Sequence, residues 1–401
     1  MSATTVGSPT PHAATTGVWA DLVGQHHAVD VLRPAAAGKG MSHAWLFTGP
    51  PGSGRSNVAI AFAAARQCEL TGEAAGCGVC HECRTAVAGS HADVGIIRTA
   101  QLSIGVREVR DLVRRSALAP AGRRWQILIV EDADRLTEQA ANALLKAIEE
   151  PTVRTVWMLC APTVEDVLPT IRSRCRQLTL ATPSSSAVAD FLIRADQITP
   201  ALAAYAARAS QGHIGRARAL ARDEATRNRR REIVSVPLRL TTLGACMQAA
   251  TNLAEVAKEE AEAITSELDA REKVDLDTTY GVVERGRRPR EYSPALAALD
   301  KSQKTRAKRR ILDVVDRGLM DLVSVYRDAI AVAAVAPGAL VNEEIRGDIE
   351  ELARSSTPEL NLRRIGWIFE AREQMLEFNV PVALALESMM VALKVPEGSS
   401  R

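Results

Sequence analysis

Two groups of residues in this 401-residue chain have the type and spacing to do chemistry. The first is Gly49-Pro50-Pro51-Gly52-Ser53-Gly54-Arg55-Ser56. Gly49, Gly52 and Gly54 let the backbone bend so that successive N–H groups point inward, as a phosphate requires. An apolar run, Ala44 to Thr48, precedes the loop as a buried strand would, and a helical pattern from Val58 to Ala65 follows it. The start of that helix adds a partial positive charge. The phosphate-loop pattern G-x-x-x-x-G-K-[ST] is kept at Gly49, Gly54 and Ser56, but Arg55 stands in the place of the lysine. Lysine is a compact charge that fits between terminal phosphates, whereas arginine is a broad planar fork. The loop is therefore expected to hold a phosphate without driving turnover. Whether ATP and magnesium occupy it stays open at this level.

The second group is Cys68-x8-Cys77-x2-Cys80-x2-Cys83. Two-residue gaps let neighbouring sulfurs point at one centre, and four soft ligands in a closed shell fit a structural tetrahedral zinc. No open position for water is expected, so the metal should not be catalytic. His81 falls inside the cluster, but four thiolates fill the shell and the imidazole should face solvent. The remaining three of the seven cysteines, Cys160, Cys175 and Cys246, read as packing residues. An odd count without an export signal argues against a disulfide framework.

These groups need a frame. Short apolar runs at 44–48, 94–97, 125–130, 156–160 and 177–180 alternate with helical patterns. That alternation predicts a parallel sheet with helices on both faces, whose ligands gather at the carboxyl ends of the strands. The third run ends in two acids, Glu131 and Asp132, and Thr163 lies just past the fourth. The glycine loop, the acidic pair and Thr163 would thus converge on one crevice. Residues 18–181 read as this α/β domain, with the cysteines at 68–83 as a zinc module within it. Residues 182–236 read as a small helical lid, opened by Ser184 and then by Thr199-Pro200. Residues 237–401 are helical again: Leu312, Val315, Leu319, Leu322 and Tyr326 mark a packed face. The charged stretch at about 258–310 has few large apolar residues in its middle and reads in part as a mobile insertion. Residues 1–17, rich in Ala, Thr, Ser and Pro, read as a disordered tail.

Composition narrows the classes. Hydrophobic residues make up 46% and aromatics only 3%, and the net charge is +2. The whole chain is therefore not a polyanion binder. No run approaches the roughly 18 apolar residues of a membrane span, and the first residues lack a signal-peptide core, so no membrane partner and a cytoplasmic location are expected. Basic clusters at 227–231, 285–290 and 301–310 lack interleaved aromatics; each reads as a solvated face ahead of a direct DNA contact.

With these residues in view, the chain resembles the bacterial clamp-loader AAA+ family of DNA polymerase III, and within it the delta-prime branch. The shared blocks are Val23-Gly24-Gln25, His43-Ala44-Trp45-Leu46-Phe47, the four cysteines, Asn142-Ala143-Leu144-Leu145-Lys146, Glu149-Glu150-Pro151, Ile171-Arg172-Ser173-Arg174-Cys175 and Asn379-Val380-Pro381 with Leu384-Ala385-Leu386-Glu387. The resemblance implies a RecA-like AAA+ domain with a zinc knuckle, a helical lid and a C-terminal helical collar. In the family's gamma/tau motor the acidic pair reads aspartate then glutamate; here Glu131 precedes Asp132. Its second-sensor arginine aligns with Gly215 of Gly212-His213-Ile214-Gly215, while Thr163 matches the first-sensor threonine. The resemblance thus implies a degenerate nucleotide site at Gly49, Gly52, Gly54, Arg55, Ser56, Glu131, Asp132 and Thr163. Ser173-Arg174-Cys175 matches the family's arginine-finger motif, so Arg174 would act in trans on a neighbour's nucleotide. Implied partners are the gamma/tau and delta subunits, with the sliding clamp and primed DNA reached through the assembly. The rival readings are an active gamma/tau-type motor and a zinc-stabilised scaffold outside replication.

Overall fold

A computed structural model of the chain describes residues 16–99, 103–122, 124–280, 282 and 289–394. The expected tail at 1–17 falls outside these but for Thr16 and Gly17, and the basic cluster at 285–290 falls outside but for Pro289 and Arg290. By internal contacts the chain divides into two units at 221/222.

The first unit is built on five parallel strands: β1 Ala44–Thr48, β2 Val94–Ile97, β3 Gln126–Val130, β4 Thr155–Ala161 and β5 Arg176–Thr179. Their order is β2-β3-β4-β1-β5. Registers are set by pairs such as Leu46 with Leu159 and Leu128 with Trp157. β1, β3 and β4 are flanked by strands on both sides and covered on both faces, and every residue in them is buried. That is why they read as continuous apolar runs. β5 lies at an edge and buries only Leu178.

The two-residue period of a strand sorts the sheet into two cores. Trp45, Phe47, Ile127, Ile129, Val156, Met158 and Cys160 face one side. There they meet α1 His26–Ala36, α2 Arg55–Gln67 and α3 His81–Val87. Leu46, Leu128, Val130, Trp157 and Leu159 face the other, against α4 Val106–Ser116, α5 Glu138–Glu149 and α6 Pro169–Arg172. Trp45 anchors the first core: it stacks on Phe47 and meets Phe62 edge-on at 5.3 Å. Its indole N–H donates to Ser42 O at 3.0 Å, so burying it leaves no polar atom unpaired.

Three helices complete this unit: α7 Ser185–Asp196, α8 Pro200–Ser210 and α9 Ile214–Arg222. Their Val188, Phe191, Leu192, Ala206 and Leu220 form a core of their own with Val23. The Ser184 hydroxyl accepts from Ala187 N at 3.2 Å and starts α7, as expected of a cap. α8 stops at Gly212, where φ is +88° and a Cβ would stand 2.4 Å from Thr182 Cγ2. Only glycine fits there, and this tight turn fixes the residue that follows, His213.

The second unit is helical: α10 Glu224–Val234, α11 Leu243–Thr279, α12 Tyr292–Ala333, α13 Arg346–Ser355, α14 Pro358–Leu376 and α15 Val382–Leu393. Leu312, Val315, Leu319, Leu322 and Tyr326 are buried in its core, as their spacing predicts. Arg230 of α10 is almost wholly buried and pairs with Asp321 of α12 at 3.2 Å and with Glu344 at 2.6 Å. The division at 221/222 puts α10 with this unit, ahead of the boundary expected at 236. The stretch at 258–310 also differs from expectation. Its described residues form the outer halves of α11 and α12, two long antiparallel helices. Apolar residues are sparse there because the seam between them is polar: Arg306 bonds Asp269 and Glu272 across it.

Candidate functional site

The carboxyl ends of β1, β4 and β3, three neighbouring strands, carry the glycine loop, Thr163 and the acidic pair. The sheet thus brings together the residues expected to converge. In the loop, φ is +153° at Gly49, +84° at Gly52 and +90° at Gly54. A Cβ at Gly49 would lie 2.8 Å from Leu180 O, so side chains are excluded there by contact as well as by φ. The loop is tied down from several sides. Gly49 N donates to Pro162 O at 3.0 Å and Ser53 N to Pro50 O at 3.1 Å. The Gln25 amide donates to Ser53 O at 3.0 Å and to Ala181 O at 2.7 Å.

Its own side chains then close it. The Arg55 guanidinium folds back and donates to Gly49 O, the loop's own carbonyl. His213 packs onto Gly52 so closely that a Cβ at Gly52 would be 2.4 Å from the imidazole Cγ. The crevice beside the loop, between Val23, Gln25, Ser53, Gly54, Val58 and Ile214, is too narrow to admit even a water molecule.

The acidic pair is similarly engaged. Glu131 Oε1 accepts from Arg98 Nε at 2.8 Å. Burial raises the Glu131 carboxyl above its ordinary range; Arg98 opposes that shift and the charge of Asp132 adds to it. Asp134, two residues past Asp132, is raised by burial as well. Thr163 is exposed, and its N–H and hydroxyl both donate to Asp166 Oδ2, at 2.8 and 2.9 Å. Gly215 lies in the first turn of α9. Of the nearby arginines, Arg218 bonds Asp196 at 2.9 Å and covers the Phe191 ring.

Arg174 stands apart, just past α6. Its guanidinium meets Glu149 Oε1 at 2.7 Å and donates to Thr170 O at 2.8 Å and to Ser173 Oγ at 3.2 Å. The side chain is 40% exposed, so this pair is a surface one and weak, about 0–1 kcal/mol.

The four cysteines converge: the sulfurs of Cys68, Cys77, Cys80 and Cys83 all lie within 4.8 Å of one another. Backbone amides point at them, Cys77 N at Cys68 Sγ, Cys80 N at Cys77 Sγ and Cys83 N at Cys80 Sγ, at 3.4–3.5 Å. Such N–H groups stabilise thiolate. Burial pushes the Cys83 thiol up, so a thiolate there needs a cation beside it. Zinc–sulfur bonds of 2.3 Å set tetrahedral sulfur separations of about 3.8 Å, a small contraction from this arrangement. The donor set therefore fits zinc, which these four residues would hold in a closed structural shell. His81 is exposed, as expected. The module is sewn to the start of the unit: Val18 N donates to Gly76 O at 2.9 Å and the Trp19 indole to Ala75 O at 3.1 Å.

Five participants were invisible in sequence: Arg98, Glu149, Asp166, His213 as a loop contact, and the Gln25 amide as a fastener. Each lies far in sequence from its partner or forms a local turn of no distinctive pattern.

A phosphate-type loop between β1 and α2, a parallel sheet with acids on an adjacent strand, and a following three-helix module define an α/β fold of the AAA+ kind with a helical C-terminal part. Residues 24–184 match the family described as "DNA polymerase III, delta subunit". Among relatives, the DNA polymerase III subunit delta' of Pseudomonas aeruginosa is 37% identical over 40% of this chain and 49% of its own length. The subunit tau of Bacillus subtilis is 34% identical over 42% of this chain and 30% of its own. Among solved structures, a gamma subunit-related protein of Thermotoga maritima is similar at 16% identity with a TM-score of 0.39, over 92% of this chain and 98% of that one. This matched segment is similar to the clamp-loader AAA+ subunits of DNA polymerase III. It spans half or less of the length of these sequence relatives. No helix among the described residues is long and apolar enough to cross a membrane.

Proposed function

We propose that this chain is a delta-prime-type stator of the DNA polymerase III clamp loader. In this reading it joins a ring with gamma/tau and delta subunits in the cytoplasm. The ring uses ATP held on gamma/tau to open the sliding clamp and place it on primed DNA. α7 to α9 act as the lid and the second unit as the collar, and zinc holds the cysteine module. Arg174 reaches a neighbour's nucleotide and neutralises charge on the transferred phosphoryl group. The observation that carries this reading is the self-engaged loop. Arg55 bonds Gly49 O, His213 lies on Gly52, and Glu131 is held by Arg98. A motor needs those groups for phosphate and water. Arg174, by contrast, is tied by a surface pair with Glu149 and by local bonds to Thr170 O and Ser173 Oγ, contacts that a stronger anion next door would displace.

The test is reconstitution with gamma/tau and delta. Arg174→Ala should lower the ring's ATP turnover by about 10³-fold or more while leaving assembly intact. An unchanged rate rejects the finger. The kept Gly49, Gly54 and Ser56 favour a second reading, a gamma/tau-type motor. Strong DNA-stimulated ATP hydrolysis by the isolated chain would select it. Failure to co-purify with the clamp-loader subunits would instead select a scaffold outside replication.

A further inference from the structure

The outer halves of α11 and α12 carry opposite charge. From 258 to 279, eight carboxylates stand against three basic residues; from 292 to 310, six basic residues stand against Asp300 alone. The seam uses some of this charge: Arg306, buried between the helices, bonds Asp269 and Glu272, and Gln303 adds a bond to Asp269 O at 3.0 Å. Helical geometry places Lys301, Lys304 and Lys308 on the opposite side of α12 from Arg306, since they lie about 140–160° round the axis from it. All three are exposed. None has a carboxylate partner among the described residues. Lys308 Nζ donates to Asn379 Oδ1 at 3.0 Å, a neutral acceptor that leaves its charge uncompensated.

We propose that this lysine stripe is a contact for the phosphate backbone of duplex nucleic acid. From Lys301 to Lys308 the helix rises about 10.5 Å, the axial length of about three phosphates on one strand. Lysines suit the purpose because a phosphate row needs point charges without fixed fork geometry. From 297 to 308 the rest of this helix face is Ala297, Asp300 and Thr305, with no aromatic or large apolar residue; Ile311 and the exposed Phe378, beside Asn379, border it at the inner end. The acidic helix offsets the stripe only in part, and least at physiological salt. Packed helices lie about 8–10 Å apart, about one Debye length at physiological salt, so a partner on the lysine side meets mainly positive charge.

The inference does not rest on the stator reading, because the isolated full chain suffices to test it. Fluorescence anisotropy with a labelled duplex, from 30 to 150 mM salt, gives the slope of log K against log salt. Replacing Lys301, Lys304 and Lys308 by glutamine should make that slope shallower by about 2–3 and weaken duplex binding at least tenfold at the lowest salt. Glu259→Gln with Glu267→Gln, on exposed positions of α11, should strengthen binding. An unchanged slope in the lysine variant overturns the proposal. So does a wild-type chain that leaves duplex unbound but captures an acidic protein or a second copy of itself through the same lysines. Circular dichroism checks that each variant keeps its helices.

Discussion

The cysteine module and the glycine loop lie in one α/β unit, and both gather polar groups at a turn. They differ in where those groups are aimed. At the module, four sulfurs point at each other and amides point at the sulfurs, an arrangement that a bound cation would stabilise. At the loop, the groups that would meet a ligand have found partners inside the chain: Arg55 on Gly49 O, His213 on Gly52, Glu131 on Arg98. The lesson is that motif residues do not by themselves make a receptive site. A site calls for a ligand when its groups converge and remain uncompensated, and loses that need when neighbours compensate them.

The sharpest break of this comparison is removal of the metal. Chelation, or Cys83→Ser, should unfold the module and release its hold on Val18 and Trp19. Structural zinc contributes about 10–16 kcal/mol in small zinc-dependent folds. Even a loss of a few kcal/mol here should lower Tm by about 10 °C, read by calorimetry beside a metal assay. A purified chain with no bound metal and an unchanged Tm would erase the contrast between the two regions.

A smaller effect is expected at the loop. Arg55→Lys with His213→Ala removes both internal occupants and should raise affinity for a fluorescent ATP analogue at least tenfold, about 1.4 kcal/mol. If affinity stays flat, compensation by these two side chains is not what closes the loop.

The smallest effect concerns Glu131. Burial holds its folded pKa above the ordinary 4.5, so the native state binds the extra proton in the window between the two values. Stability therefore falls as pH rises through that window, and the loss persists above it. Glu131→Gln should flatten this dependence and change stability at pH 7 by less than about 1 kcal/mol. Denaturant melts at pH 4 and pH 7 decide; an equally steep dependence in the variant would mean that Arg98 fully offsets the burial.

Much of the fold was legible because its signals are local. The runs at 44–48, 94–97 and 125–130 fall on β1, β2 and β3, and Ser184 and Thr137 cap their helices through bonds three residues on. Pro381 precedes α15 at the expected residue. The helices at 258–310 carry no apolar signature because helix propensity and a polar seam support them, not an apolar stripe. The place of α10 is not legible locally, because Arg230 finds its partners Asp321 and Glu344 some hundred residues away.

The sequence by itself determined the strand order's raw material, the glycine loop and the four convergent cysteines. Spacing over a few residues dictates where such groups can point. Tertiary structure alone decided whether they have anything left to bind. His213 reaches Gly52 only because Gly212 turns the chain, and Glu131 meets Arg98 only because β2 lies beside β3. Compensation of charge and hydrogen bonds depends on neighbours in space, and those are fixed by packing between segments that carry no mark of one another.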